Sequence, residues 1–257
     1  MIHNDAVSAE SITRDLNTRI IGRSVFWFET VTSTNDVAKK MAQQNAASGT
    51  VIIAGEQTAG KGRLGRTWSS PRGTLALSVI LRPDISMLHK LIMVASLAIS
   101  HSIKKVTGLD AQIKWPNDVL INGKKISGIL IENGWRGNVL DYAVIGIGVN
   151  VNFRPDDYSD IKETATSLSN ESGNDISILT IARQLLVELD RLYLSGDSVF
   201  EEWRRNLITL GKEVRVTSGG MVNAGIAETV DRDGRLILRQ ANGSLLKISA
   251  GDVTLKS

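Results

Sequence analysis

The sequence contains no cysteine. This excludes a disulfide framework, a thiolate metal site and a cysteine nucleophile, so any chemistry must come from other groups. Aromatic residues are scarce, 5% of the 257 residues, which argues against a stacking platform for single-stranded nucleic acid. Neither sign of charge dominates: 30 Lys and Arg stand against 27 Asp and Glu, and a net charge of +3 is too small an excess to indicate a nucleic-acid partner. No uninterrupted apolar run approaches the roughly 18 residues of a membrane span. The polar opening of the chain, with Asp5, Glu10 and Asp15, lacks the apolar centre of a secretory signal. The expectation is a cytoplasmic protein with no membrane partner.

Hydrophobic residues make up 42% of the chain, enough for one large domain and a small one. Residues 1–24 read as an N-terminal extension. A helix is predicted from Ser33 to Asn45, capped by Ser33 or Thr34 and ended by Gly49. Val51 to Ala54 and Leu75 to Leu81 read as covered strands, and a second helix is predicted from Ser86 to Val106, closed by Gly108. Asn122-Gly123 is a strong hairpin signal between Val119–Ile121 and Ile126–Glu132, and a second hairpin is expected to turn through Gly134 to Asn138 into Leu140–Val149. Arg154 to Asp175 is polar and is expected to carry little regular structure. Helices follow at Ser177–Leu194 and Val199–Leu207. After Gly211 four short strands are predicted, at Glu213–Thr217, Val222–Val230, Arg235–Arg239 and Ser244–Ser249. The division is thus an α+β domain over 25–210 and a small β domain over 211–257.

Four segments can carry chemistry. Gly60-Lys61-Gly62-Arg63-Leu64-Gly65-Arg66, with Gln57 before it, and Trp68 and Arg72 after it, concentrates cations and glycines in one loop. Such a loop suits a phosphate or a carboxylate, or is simply a flexible basic turn. Lys114-Trp115-Pro116-Asn117-Asp118 presents an amide and a carboxylate from a stiff bend, suited to phosphate or Mg²⁺, or to an ordinary proline turn. In Lys124-Lys125-Ile126-Ser127-Gly128-Ile129-Leu130, strict alternation puts Lys125 with Ser127 and Ile129, and Gly128 on the other face with Lys124. One lysine must then point inward toward an anionic partner, unless both decorate the hairpin end. Gly146-Ile147-Gly148-Val149-Asn150-Val151-Asn152 puts two glycines on one strand face, where a flat ligand ring or a close crossing can pack.

In this order, with Ser33-Thr34-Asn35 ahead of them and Ala165-Thr166-Ser167-Leu168 after, these segments resemble the catalytic domain of biotin protein ligases over nearly its whole length. The resemblance implies a mixed sheet flanked by helices, of the class II synthetase and biotin–lipoate ligase type, followed by a small SH3-like β barrel. It implies ligation of biotin to a lysine through biotinyl-5'-AMP, with ATP converted to AMP and pyrophosphate and Mg²⁺ assisting. It further implies that Ser33, Thr34, Asn35, Gln57, Gly60, Lys61, Gly62, Arg63, Lys125, Gly128, Gly146 and Gly148 serve biotin or its adenylate. Arg63, Arg66, Trp68, Lys114, Asn117, Asp118, Lys125, Asn150 and Asn152 would serve ATP, with Arg63 and Lys125 catalytic and Asp118 the candidate Mg²⁺ ligand. Lys61 stands where Arg is common, which keeps the charge and loses a bidentate fork. The implied partner is the biotin carboxyl carrier domain of an enzyme such as acetyl-CoA carboxylase, and a homodimer is an open expectation. The segment before Val25 is too short for a winged helix-turn-helix, so no DNA partner is expected. Competing readings are a lipoate or octanoate transferase of the same fold, against which the absence of an RRxxGGG-type stretch counts, and a nonenzymatic RNA- or ligand-binding module.

Overall fold

The computed structural model describes residues 7–158 and 161–255. Residues 1–6 of the expected extension, 159–160 of the polar stretch and 256–257 of the small β unit lie outside the described residues. The chain runs α1 (Ala9–Thr13), β1 (Ser24–Val31), α2 (Thr34–Gln43), β2 (Thr50–Gln57), β3 (Thr74–Leu81), α3 (Leu91–Thr107), β4 (Gln112–Lys114), β5 (Asp118–Ile121), β6 (Lys124–Arg136), β7 (Val139–Asn150), α4 (Leu168–Ser172), α5 (Ile178–Tyr193) and α6 (Val199–Arg205). Then follow β8 (Glu213–Ser218), β9 (Met221–Val230), β10 (Leu236–Arg239), β11 (Leu245–Ile248) and β12 (Asp252–Leu255).

Seven strands form a mixed sheet in the order β1-β2-β3-β7-β6-β5-β4. β1 and β2 run parallel, joined by the crossover through α2, and the other neighbours are antiparallel. Alternation divides the faces. Leu75, Leu77, Val79 and Leu81 of β3, with Ile145, Ile147 and Val149 of β7, belong to the main core with α3 and α5. On the opposite face Ile52, Ile80 and Val144 meet Ala38 and Ala42 of α2. Farther along that second face the sheet carries Ser78, Gly146 and Gly148, paired across β3 and β7 as Ser78↔Gly146 and Ala76↔Gly148. With no bulky side chain there, the face has a recess, and the recess is the candidate site.

The five-stranded sheet, β11-β10-β9-β8-β12, forms the second unit. Its Val214, Val216, Leu236 and Leu238 are fully buried and continuous with the main core. The Trp115 indole also donates to the Gly234 carbonyl at 2.8 Å.

Several expectations need correction. The predicted helix from Ser86 begins as a 3-10 turn over Ile85–Lys90 that has no fully buried residue, and α-helix starts at Leu91, which is fully buried. Helical stability comes mostly from a packed face, and the earlier turn offers the core only the half-buried Leu88. Gly134 does not turn the chain: β6 runs to Arg136 through a bulge at Gly134/Trp135, because Gly134 lies against the Tyr142 ring, 2.2 Å from where a Cβ would stand. The polar stretch 154–175 holds α4, started by the Ser167 side chain accepting from Asn170 N–H and ended by Gly173 at φ 75. β12 was not expected at all. It is a four-residue edge strand with too little alternation to read, paired with β8 alone.

Residues 9–21 are also packed into the main core, Ile12 and Ile21 being fully buried. Their anchor is Asp190 of α5, itself 5% exposed, whose carboxylate accepts from the backbone N–H of Arg19, Ile20 and Ile21, each at 2.8 Å. Replacing Asp190 by Ala orphans three donors, and a loss of about 3 kcal/mol in stability is expected. A denaturation midpoint equal to wild type's would remove Asp190 from this role, and Asp190→Asn, keeping one acceptor oxygen, is expected to fall between the two.

Candidate active site

The loop after β2 is a narrow ribbon over residues 57–70. Gln57 N–H donates to Ser70 O at 3.0 Å, Trp68 N–H to Gly60 O at 2.9 Å and Gly62 N–H to Arg66 O at 2.7 Å. Its tip is a 3-10 turn, Arg63–Gly65, with Leu64 at φ 54 and Gly65 at φ 73. Gly60 does not line the recess, contrary to expectation: a Cβ there would stand 2.3 Å from the Trp68 carbonyl oxygen, so this glycine serves the narrowness of the ribbon. Arg72 is also outside the site, exposed and 3.8 Å from Glu56.

The ribbon folds over the recess and puts Trp68 onto its floor. Gly128 and Gly148 face each other across β6 and β7, and a Cβ on either would stand 3.1 and 2.4 Å from the Trp68 ring. Gly146 lies under Asn35, 2.2 Å from its Oδ1 by the same measure. The protein's own indole and carboxamide share that space, and the three glycines still line the cavity left beside them. The first cavity is therefore small, about 120 Å³.

The start of α2 forms one wall. Thr34 donates to Gln57 Oε1 from its backbone N–H at 2.8 Å and from its hydroxyl at 3.1 Å. Ser78 Oγ lies 2.8 Å from Thr34 Oγ1 and 2.6 Å from Asn35 Oδ1, and Asn35 Nδ2 donates to Glu132 at 2.8 Å. Lys39 also donates to Glu132, at 2.6 Å. Ser78 and Glu132 orient the Ser33–Asn35 wall, and sequence reading missed both. They stand in strands with no motif around them, and only the three-dimensional pairing brings them here.

The cations form the other wall, and each has a partner. Lys61 pairs with Asp36 at 2.6 Å. Arg63 donates to Asn117 Oδ1 at 2.7 Å and to the Gly251 carbonyl at 3.4 Å. Arg66 pairs with Asp252 of the second sheet. Lys125 lies 2.6 Å from Asp118 Oδ1 and 5.4 Å from the centre of the Trp68 ring. Burial pushes the Arg63 guanidinium below its ordinary range, and the nearby Asp252 and Asp118 carboxylates oppose that shift. Asp36 is raised by burial, but hydrogen bonds from Lys61 and Lys39 outweigh this and hold it below the usual carboxylate range.

Lys125 reaches the recess because alternation fails. β5 pairs Val119 with Ser127 but Leu120 with Lys125, so Ile126 is an extra, bulged residue. The bulge turns Lys125 onto the face of Gly128, its Nζ 3.3 Å from that residue's Cβ position. Ser127 points the other way, fully buried, and donates to Gly148 O at 2.6 Å. The sequence-based assignment of Lys125 and Ser127 to one face is thereby corrected.

Of the residues expected to serve the acid, Ser33, Thr34, Asn35, Gln57, Lys61, Gly62, Arg63, Lys125, Gly128, Gly146 and Gly148 line the first cavity, with Arg66, Asn117, Asp118 and Asp252. A second cavity of about 590 Å³ is lined by Lys114, Asn150, Tyr158, Ile161 and 163–165. Thr67, Trp68, Asp118 and Lys125 line both. Asn152 lines neither: its carboxamide donates to Ile176 O and accepts from Ile176 N–H, both at 2.9 Å, and so braces the connection to α5. Asn117 is held by Nδ2 on Ile129 O at 2.9 Å, after a cis Trp115-Pro116 bond.

Among the described residues no cluster of three or more His, Asp or Glu could hold a metal ion. Asp118 still fits a shared metal, since it is the carboxylate on the wall common to both cavities, where it balances Lys125 at 2.6 Å. Mg²⁺ typically needs only one or two protein carboxylates when phosphates supply other ligands.

The chain matches the Biotin/lipoate A/B protein ligase family over residues 27–150 and the Biotin protein ligase C terminal domain over residues 209–256. It is 34% identical over 258 residues to the bifunctional ligase/repressor BirA of Bacillus subtilis, covering 97% of this chain and 79% of that protein. It is 32% identical over 258 residues to the biotin–acetyl-CoA-carboxylase ligase of Mycobacterium tuberculosis, covering 93% and 94%. The solved biotin protein ligase from Aquifex aeolicus in complex with biotin and ATP superposes with a TM-score of 0.77 at 28% identity, over 91% of this chain and 99% of that one. With the two-sheet architecture, both parts of the chain matched, and relatives aligned over nearly all of this chain, it belongs to the biotin protein ligase family.

Proposed function

We propose that the two cavities are the acid and nucleotide pockets of an ATP-dependent ligase that attaches biotin to one lysine of a biotin carboxyl carrier domain. The observation that carries the assignment is their common wall. Lys125 and Asp118 stand where both cavities meet, so an acid in one and a triphosphate in the other present their reacting atoms to a single ammonium.

In the first step a biotin carboxylate oxygen bonds to the ATP α-phosphorus and the bond to the bridging oxygen breaks, releasing pyrophosphate. Two anions must approach, and Lys125 with Arg63 offsets their repulsion and the charge growing on the α-phosphoryl oxygens. Asp118 would hold Mg²⁺, which supplies charge neutralisation for the departing pyrophosphate when bound. In the second step the acceptor amine adds to the anhydride carbonyl, loses its proton and expels AMP, leaving an amide. Between the steps the 57–70 ribbon excludes water from an anhydride that hydrolyses readily. Lys61 keeps a charge at the pocket mouth, paired here with Asp36.

The experiment is ATP–pyrophosphate exchange with biotin, lipoate or no acid. Exchange with biotin and background rates with the other two is the expected result. Exchange that follows lipoate instead would transfer the reading to the lipoate branch of the fold.

A further inference from the structure

The second sheet touches the ribbon, and the contact has no counterpart in the chemistry just described. β12 begins at Asp252, which pairs in register with Thr217 of β8, and Gly251 before it is buried. A Cβ on Gly251 would stand 2.7 Å from Val216 Cγ1 and 2.8 Å from Thr217 O, so this corner is packed closely and its backbone is fixed by the β8–β12 pair. From that corner two groups reach out. The Gly251 carbonyl accepts from Arg63 Nη1 at 3.4 Å, and the Asp252 carboxylate pairs with Arg66 and lines the first cavity. Arg63 and Arg66 flank the tip of the ribbon, and its tip residue Leu64 is 69% exposed with a left-handed backbone, so the tip has little packing of its own.

We propose that Asp252 is a positioning residue: the second sheet latches the ribbon shut through it, and so sets how long the activated acid stays enclosed. This rests on the ligase reading above. A latch on the ribbon governs escape of the intermediate more than its formation, because the phosphate and carboxylate are held by other groups.

The test uses the full chain loaded with biotin and ATP, freed of excess substrate, and followed for release of biotinyl-5'-AMP. Asp252→Ala is expected to speed release about fivefold, the worth of one good partly exposed ion pair. Asp252→Glu, which can still reach Arg66, is expected to restore most of the retention. Raising ionic strength is expected to speed release from the wild type and to change Asp252→Ala much less, since screening acts on the pair that the variant already lacks. A merely structural contribution would not give that salt difference. Release from Asp252→Ala at the wild-type rate, or a wild-type rate indifferent to salt, overturns the latch. Absence of any biotin-dependent exchange in the wild type would instead overturn the ligase reading.

Discussion

Lys125→Ala is expected to lower biotin-dependent ATP–pyrophosphate exchange by about 10³-fold, the loss that follows when a preorganised donor to developing charge is removed. The size follows from position. Unit charges about 4 Å apart interact by roughly 4 kcal/mol at the effective dielectric of a partly buried site. Lys125 Nζ is the cation on the wall shared by the two cavities, held 2.6 Å from Asp118. The variant has a second effect that must be separated from the first, because it removes the ion-pair partner of Asp118. Pairing Lys125→Ala with Asp118→Asn is expected to return the thermal midpoint toward wild type while exchange stays lost. Near-normal exchange in Lys125→Ala would take this ammonium out of the chemistry.

Arg63→Gly is expected to damage retention more than synthesis. Arg63 ties the ribbon to Asn117 at 2.7 Å and to the second sheet at 3.4 Å, and it lines the first cavity. A hydrogen bond involving a charged group contributes up to about 3 kcal/mol, which corresponds to release of the adenylate faster by about 10²-fold. Free adenylate acylates any amine it meets. Incubation with biotin, ATP and an unrelated lysine-rich protein is therefore expected to biotinylate that bystander with the variant and hardly at all with the wild type. A variant that spares the bystander as the wild type does would show that Arg63 does not hold the intermediate.

Much of the fold could be read from local chemistry. Asn122 at φ 49 and Gly123 at φ 79 make the turn their sequence announces, and Ser177 caps α5 by accepting from Thr180 N–H. The apolar runs of β3 and β7 are covered strands because both faces are buried. The site was legible as a set of segments and less so as geometry. Gly146 and Gly148 stand out in a strand interior, yet only the structure shows Asn35 and Trp68 seated on them and on Gly128. The facing of Lys125 depends on a bulge whose second strand lies outside the motif. Asp252 sits in a strand too short to read and more than 180 positions from Arg66, so no window around the cationic loop could have found it. Asn152 illustrates the reverse: it belongs to a matching motif and spends both ends of its carboxamide on Ile176.

Three of the four cations of the mouth come already matched, Lys61 with Asp36, Arg66 with Asp252 and Lys125 with Asp118, while Arg63 rests on a neutral amide and a carbonyl. A pocket largely neutralised from within projects little field into the surrounding electrolyte, and chloride or inorganic phosphate gains little from the three paired cations, since at each it would have to evict a carboxylate with nothing else to grip. Only a guest that also offers a carbon skeleton to the floor and a base to the adjoining chamber recovers what the eviction costs. Selectivity among anions is thus built in as competition with the protein's own acids.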